Sequence, residues 1–197
     1  HVYHLVHSMG GGRDSQRLDR VIAGNVAEAA EAAGVKRLVY LGGLSPRTGP
    51  LSPHLESRRE VGAILRRSGV PTLVFQAGVV IGSGSASFEM IRHLTEVLPV
   101  MTAPRWVRNR IQPIAVRDVL HYLLAALRLG DDVRGSFDIG GPDVLRYDRM
   151  MNGYARIAGL PRRRIWALPV LTPRLASHWV GLVTPVPSGL ARPLVES

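Results

Sequence analysis

The chain has 197 residues, of which 46% are hydrophobic and 20% charged, a composition that fits a globular protein and excludes a largely disordered one. It contains no cysteine, which excludes disulfide bonds and thiolate metal sites and is consistent with a reducing compartment. The formal net charge is +10. Because the cations are scattered and no helix-turn-helix, zinc-finger or aromatic RNA-binding motif accompanies them, we expect no nucleic-acid partner.

Membrane-spanning segments are not expected, because no apolar run approaches the roughly 20 residues that a spanning helix needs. The most apolar stretch, residues 166–186, is interrupted by prolines and charged residues, which favours a short docked helix or one at a membrane surface. The first residues lack the order of a signal peptide. We therefore expect a cytoplasmic protein and leave open a peripheral contact with a membrane.

Hydrophobic periodicity predicts strands and helices that alternate along the chain. Apolar residues recur every three or four positions in the predicted helices and run almost continuously in the predicted strands. The predicted strands are residues 2–7, 36–41, 72–81, 112–116 and 136–139. The predicted helices are residues 15–33, 55–68, 88–97, 118–129 and 147–157. We expect a Pro- and Arg-rich loop over 99–110 and Asp118 as an N-cap. This alternation is typical of a parallel α/β sheet.

The glycine motif that normally opens a dinucleotide-binding fold, Gly-x-Gly-x-x-Gly between a strand and a helix, is not present in this sequence. Gly10, Gly11 and Gly12 follow a predicted strand without that spacing, and Gly82-Ser-Gly84 has no third glycine. Both groups follow strands of a parallel sheet, at the end where such sheets bind ligands. We expect them near a ligand, without a phosphate-cradling role. His93 and His121 lie on predicted helices without a second ligand at metal-binding spacing, so no metal is expected.

Five segments resemble the fourth strand onward of the atypical short-chain dehydrogenase/reductases. They are YHLVHSM (3–9), VKRLVYLGGL (35–44), SPHLESR (52–58), VVIGSGS (79–85) and QPIAVRDV (112–119). The chain is most similar to the NAD(P)H-binding, NmrA-like proteins, in particular bacterial ones with a further C-terminal domain of unknown function. The resemblance implies a Rossmann-like, doubly wound parallel α/β sheet with a small C-terminal α+β region on the substrate side.

The same resemblance implies that the first three strands and the glycine motif lie upstream of His1, so that the fold is truncated at its N-terminus. Residues 1–197 would then form a single partial NAD(P)-binding domain. Its core strands and helices would lie in residues 1–98, and its substrate-side and C-terminal parts in residues 99–197.

Residues on the nicotinamide side of the cofactor site follow from the resemblance as well. In the family they come after the fourth and fifth strands and within the sixth. In this chain those positions are Leu5, His7, Ser8, Met9, Leu41, Gly42, Gly43, Gln76, Ala77, Gly78 and Val79.

His54 and Arg58 occupy the places of the Tyr and Lys that carry proton transfer in active members of the family. The i, i+4 spacing keeps both side chains on one helical face. A histidine can act as an acid or base near neutral pH, and Arg58 can bind ribose or phosphate while disfavouring a protonated neighbour. We therefore predict His54 and Arg58 as catalytic, with Arg58 also contacting the cofactor. The alternative is that His54 is a first-turn helix residue and Arg58 a solvated cation.

The function implied by the resemblance is that of an NAD(P)-binding oxidoreductase-like protein acting on an unknown small or lipidic substrate, with epimerase or dehydratase chemistry included. The catalytic Ser of the family is missing, because Gly42, Gly43 and Leu44 fill the end of the fifth strand. The alternative function is therefore a non-catalytic NAD(P)H-sensing regulator or complex-assembly factor. Whether the protein is an enzyme stays open at this level.

Overall fold

The computed structural model describes residues 1–8, 13–45 and 51–168. The α-helices in these ranges are α1 (Arg13–Ala32), α2 (Pro53–Arg67), α3 (Ala86–Val97), α4 (Val116–Ala125) and α5 (Tyr147–Ile157). The strands are β1 (Val2–His4), β2 (Leu38–Gly43), β3 (Thr72–Ala77), β4 (Val80–Ile81), β5 (Val100–Pro104), β6 (Arg110–Ile111), β7 (Ile114–Ala115), β8 (Gly135–Ile139), β9 (Leu145–Arg146) and β10 (Arg164–Leu168). Short 3-10 helices cover Arg105–Arg108 and Ala126–Arg128.

Four strands form one parallel sheet in the order β1-β2-β3-β8. Strands β2 and β3 are central and buried on both faces, which is why almost every residue in them is apolar. Helices α1 and α2 pack on one face of this sheet, against Leu38 and Tyr40. On the other face the Tyr3 hydroxyl donates to the backbone oxygen of Leu123 in α4 at 2.9 Å. Helices on both faces of a parallel sheet confirm the predicted Rossmann-like, doubly wound fold class.

Helices α1 and α2 are placed on the sheet by their small and apolar residues. The buried face of α1 consists of Asp19, Ala23, Ala27 and Ala30, which recur at helical spacing. Helix α2 begins after Ser52, whose side-chain oxygen accepts a hydrogen bond from the Leu55 N–H at 3.3 Å, and Pro53 occupies the first helical position. This cap fixes the start of α2 and therefore the position of the side chains in its first turn.

Two compact units make up the chain, the first from residues 1–78 and 116–140 and the second from residues 79–115 and 141 onward. The first unit contains the four-stranded sheet with α1, α2 and α4. Helix α4 and strand β8 return to this unit after the chain has left it. In the second unit β4 pairs with β7, β5 with β10 and β6 with β9. Its core is rich in methionine and includes Met90, Met101, Met150 and Met151.

Two local predictions are wrong. The segment 99–110, predicted to be a loop, contains β5, because β10 pairs with β5 in parallel from far along the chain. Asp118 is not an N-cap, since α4 already begins at Val116 and Asp118 lies inside its first turn. The predicted strand 72–81 is present as β3 and β4, which are separated at Gly78 and Val79. Within the described ranges, no helix combines the length and apolarity needed to cross a bilayer.

Candidate active site

The predicted catalytic histidine lies beside a second imidazole at the carboxyl end of the parallel sheet. His54 is in the first turn of α2, and His7 is in the loop that follows β1. Their ring centroids are 5.9 Å apart, with the planes inclined by 59°. Both belong to the first unit, and they meet because β1 ends at the same edge of the sheet at which α2 begins. The site therefore contains a histidine pair.

Arg58 lies one helical turn after His54 and is anchored to the sheet. Its Nη2 donates to the backbone oxygen of Leu41 in β2 at 2.8 Å. Among the described residues, Arg58 forms no ion pair with a carboxylate. A guanidinium carries five N–H donors, so most of them remain available for a ligand. The interpretation of Arg58 as a merely solvated cation does not agree with this anchoring.

Gly43 makes room for the Arg58 side chain at the end of β2. A Cβ atom added at Gly43 would lie 2.9 Å from Leu55 Cδ2 and 3.3 Å from Arg58 Nε, closer than side chains tolerate. A side chain at this position would therefore require Leu55 and Arg58 to shift. The glycine thus allows the close approach of Arg58 to the end of β2.

Asp19 of α1 is almost completely buried beneath the histidine pair. Its Oδ1 accepts hydrogen bonds from the Ser8 N–H at 2.8 Å and the Ser8 hydroxyl at 2.7 Å. Its Oδ2 accepts from the Ser57 hydroxyl at 2.9 Å. Burial raises the pKa of Asp19, but these hydrogen bonds outweigh burial and hold the pKa below its usual value. The carboxylate is therefore ionised at neutral pH.

Three imidazoles at this site are held neutral at neutral pH. The pKa of His7 is lowered to about 4, mainly by burial and in addition by the neighbouring Arg58 and His54, while Asp19 opposes them. Burial is also the main cause of the lowered pKa of His54, with Arg58 second. His4, buried under the site with its ring 5.5 Å from Tyr40, has a pKa lowered mainly by burial. A neutral imidazole can accept a proton, so the site is suited to a base.

We expect stability to fall on acidification, because protonation of His7 is easier in the unfolded chain than in the folded one. Its pKa drops from 6.5 to about 4 on folding, so the stabilisation is present above pH 6.5 and is lost as pH falls from 6.5 towards 4. At about 1.4 kcal/mol per pKa unit the full effect is about 3 kcal/mol. Screening of a partly exposed ring reduces it to about 1–2 kcal/mol.

Urea unfolding of the wild type and of His7→Gln at pH 7.5 and 5 measures this effect. We expect the free energy of unfolding of His7→Gln to depend less on pH than that of the wild type. His121→Gln, the same change at an exposed residue of α4, serves as the control. An equal pH dependence in all three proteins would contradict the assignment.

The remaining predicted residues are only partly brought to this edge. Leu5 is exposed in the loop after β1, and Gln76 lies in β3 with its Nε2 3.5 Å from the Gly43 oxygen. Ala77 is buried, Gly78 follows it at the end of β3, and Gly42 lies next to Gly43 in β2. Val79 belongs to the core of the second unit. Met9 lies outside the described residues. Their contacts with a cofactor stay predictions.

Asp19, Ser57 and His4 are absent from the predicted site. The sequence does contain a signal for Asp19. This residue lies at helical spacing from Ala23, Ala27 and Ala30, and a carboxylate on an otherwise small and apolar helix face is unusual. Nothing local marks Ser57 or His4. In the part of the chain that is described, no three His, Asp or Glu side chains are grouped in a way that could hold a metal ion.

No protein-family model matches this sequence, and no curated protein is significantly similar to it. Solved structures are similar in fold. The UDP-glucuronic acid 4-epimerase from Bacillus cereus, in complex with NAD, is 14% identical with a TM-score of 0.66, over 98% of this chain and 74% of that one. The UDP-N-acetylglucosamine 4-epimerase from the same organism is 15% identical with a TM-score of 0.65, over 98% and 76%.

A third similar structure is the UDP-glucose 4-epimerase from Thermotoga maritima with UDP-glucose, at 14% identity and a TM-score of 0.67 over 98% of this chain and 75% of that one. At such identities the comparison establishes a shared fold and leaves function to the site. The Rossmann-like fold predicted from the sequence is confirmed.

Proposed function

We propose that this chain is an NAD(P)-binding, oxidoreductase-like protein of the atypical short-chain dehydrogenase/reductase type, most similar to its NmrA-like group, in which His54 transfers the proton. The observation that carries the proposal is the placement of His54 and Arg58 on one face of α2, at the carboxyl edge of the parallel sheet, with His7 5.9 Å from His54. Open parallel sheets bind ligands at this edge. The UDP-glucuronic acid 4-epimerase of similar fold, which is solved with NAD, supports the choice of cofactor.

The residues present fit the nicotinamide half of a dinucleotide. Arg58, tied by one N–H to the Leu41 oxygen, has further donors to offer to ribose hydroxyls or to a phosphate. Leu5 and Val6, both exposed after β1, provide apolar surface against which a planar ring can lie. When bound, the dinucleotide would supply the hydride acceptor or donor.

His54 can take the proton of a substrate hydroxyl because its imidazole is neutral at neutral pH. Arg58 disfavours the protonated ring, so the proton would pass on from His54 to solvent. In alcohol oxidation the hydroxyl proton would go to His54 and the hydride to the oxidised nicotinamide. We propose a small or lipidic hydroxyl compound as substrate and a cytoplasmic location.

Binding of NADH and NADPH, measured by the fluorescence of the reduced nicotinamide, tests the proposal. We expect saturable binding of at least one of them, weakened about tenfold or more in Arg58→Met because a charged hydrogen-bond partner is lost. Arg59→Met is the matched control, since Arg59 is the adjacent cation and is exposed. Failure of both nucleotides to bind the wild-type protein would overturn the proposal.

A second candidate function is that of a non-catalytic NAD(P)H-sensing or assembly protein. It is favoured by Gly42 and Gly43, which fill the end of β2, so that the hydroxyl of this segment, that of Ser45, lies two residues beyond the strand. In that case the nucleotide would bind without turnover, and substitution of His54 would leave every measured rate unchanged.

A further inference from the structure

Asp19 connects the two segments that carry the histidine pair. One carboxylate oxygen holds Ser8, the residue after His7, and the other holds Ser57, which lies one turn after His54 and next to Arg58. We infer that Asp19 is a positioning residue, whose carboxylate holds the loop with His7 and the helix with His54 in one fixed arrangement. We call the hydrogen bonds of Asp19 to Ser8 and Ser57 the bridge. Any effect of the bridge on turnover rests on the proposed function, whereas the bridge itself does not.

The bond from the Ser8 N–H is the essential part of this bridge. The Ser8 hydroxyl has a single proton and lies within hydrogen-bonding distance of both Asp19 Oδ1 and the Ser15 backbone oxygen, at 2.7 and 3.0 Å. The backbone N–H has only the carboxylate as its partner among the described residues. Hydrogen bonds to an ionised, buried acceptor are about twice as strong as neutral ones, so the loop is held firmly.

Asp19 also balances the charge of Arg58. The titratable groups that feel the carboxylate are His4 from β1, His7 from the loop after it, Tyr40 from β2 and His54 from α2. Arg58 acts on the same four groups with the opposite sign. Asp19 therefore keeps the imidazoles more basic than burial and Arg58 alone would leave them.

Two substitutions of Asp19 distinguish the effect of its hydrogen bonds from the effect of its negative charge. Asp19→Asn keeps an oxygen for the Ser8 N–H and offers an amide N–H to the Ser57 hydroxyl, which can turn to accept it, but it removes the charge. Asp19→Ala removes both. The matched control is Glu60→Gln, because Arg20 and Glu60 also join α1 to α2, through an exposed ion pair with N and O 2.7 Å apart.

Hydrogen exchange of the Ser8 amide measures the bridge in the intact protein without any ligand. We expect exchange in Asp19→Ala to be about tenfold faster or more, together with loss of the nuclear Overhauser contact between the His7 and His54 rings. Asp19→Asn, Ser57→Ala and Glu60→Gln should keep the amide protected. Wild-type protection in a folded Asp19→Ala variant would overturn the inference. If that variant does not fold, the contact between the His7 and His54 rings in Ser57→Ala, which removes only the helix side of the bridge, decides: its loss is expected, and its retention would overturn the inference.

NMR titration of the histidine rings measures the effect of the Asp19 charge on their pKa. In Asp19→Asn we expect the midpoints of His7 and His54 to move to lower pH, because the opposing negative charge is gone. A residue that only supports packing would leave these midpoints in place, as Glu60→Gln should. Unmoved midpoints in Asp19→Asn would overturn the inference. Because neither measurement uses a nucleotide, failure of the proposed function and failure of this inference can be told apart.

Discussion

We expect the His54→Gln variant to lose about 10²–10⁴-fold in NAD(P)-linked turnover while binding the nucleotide as the wild type does. Glutamine is similar in size and polarity to histidine but does not take up a proton near neutral pH. The pKa of His54 is lowered by burial and by Arg58, so the wild-type ring is available as a base at pH 7. Wild-type activity in alcohol oxidation should therefore fall only below pH 6.5.

Reduction of NAD or NADP with a panel of small and lipid alcohols measures this loss. His121→Gln, the same substitution in an exposed part of α4, should retain full turnover. Turnover in His54→Gln equal to that in the wild type would show that this ring does not carry the proton. Nucleotide binding without turnover in the wild type would favour the sensing protein instead.

The Arg37→Met variant should lose about 3 kcal/mol or more of the free energy of unfolding. Arg37 precedes β2 and is 1% exposed. Its guanidinium donates to the Ala126 oxygen at 3.0 Å and to the Gly130 oxygen at 2.6 Å, which ties the end of the α4 segment to the sheet. Its contact with Asp131, at 3.8 Å, contributes little because that carboxylate is 82% exposed. Methionine would fill the space but remove the Arg37 donors from both carbonyl groups, of which the Gly130 oxygen would keep the Val133 N–H at 3.0 Å.

Urea unfolding at neutral pH compares Arg37→Met with Lys36→Met, which removes the adjacent, exposed cation. We expect the control to change the free energy of unfolding by no more than about 0.5 kcal/mol. A loss below about 1 kcal/mol in Arg37→Met would mean that water satisfies the two carbonyl oxygens and that the buried arginine is not needed for stability.

Local patterns were sufficient to predict several helices and a central strand. The predicted helix 15–33 is α1 almost to the residue, and the predicted helix 147–157 coincides with α5. The nearly continuous apolar run from Thr72 to Ile81 predicted a strand covered on both faces, and its first six residues form β3, which is covered in this way. Strand β5 was missed because a short run with a proline carries little strand signal. It exists through its pairing with β10.

The candidate site was predicted in part. The spacing of His54 and Arg58 placed them on one face of a helix, and that face is the one turned to the sheet edge. The proximity of His7 to His54 was not predicted, nor was the carboxylate of Asp19 below them. These residues come from three separate segments, and only the packing of α1 and α2 on β2 brings them together.

The amino-acid sequence by itself determined the order of strands and helices, the parallel α/β class and the placement of His54 and Arg58 on one helical face. These features follow from local periodicity and spacing. Only the tertiary structure decided that the imidazoles are neutral, that Gly43 makes room for Arg58 and that Asp19 joins the two histidine segments. The physical reason is that desolvation, close packing and Coulomb interactions depend on distances between segments, and the burial of those segments against one sheet sets those distances.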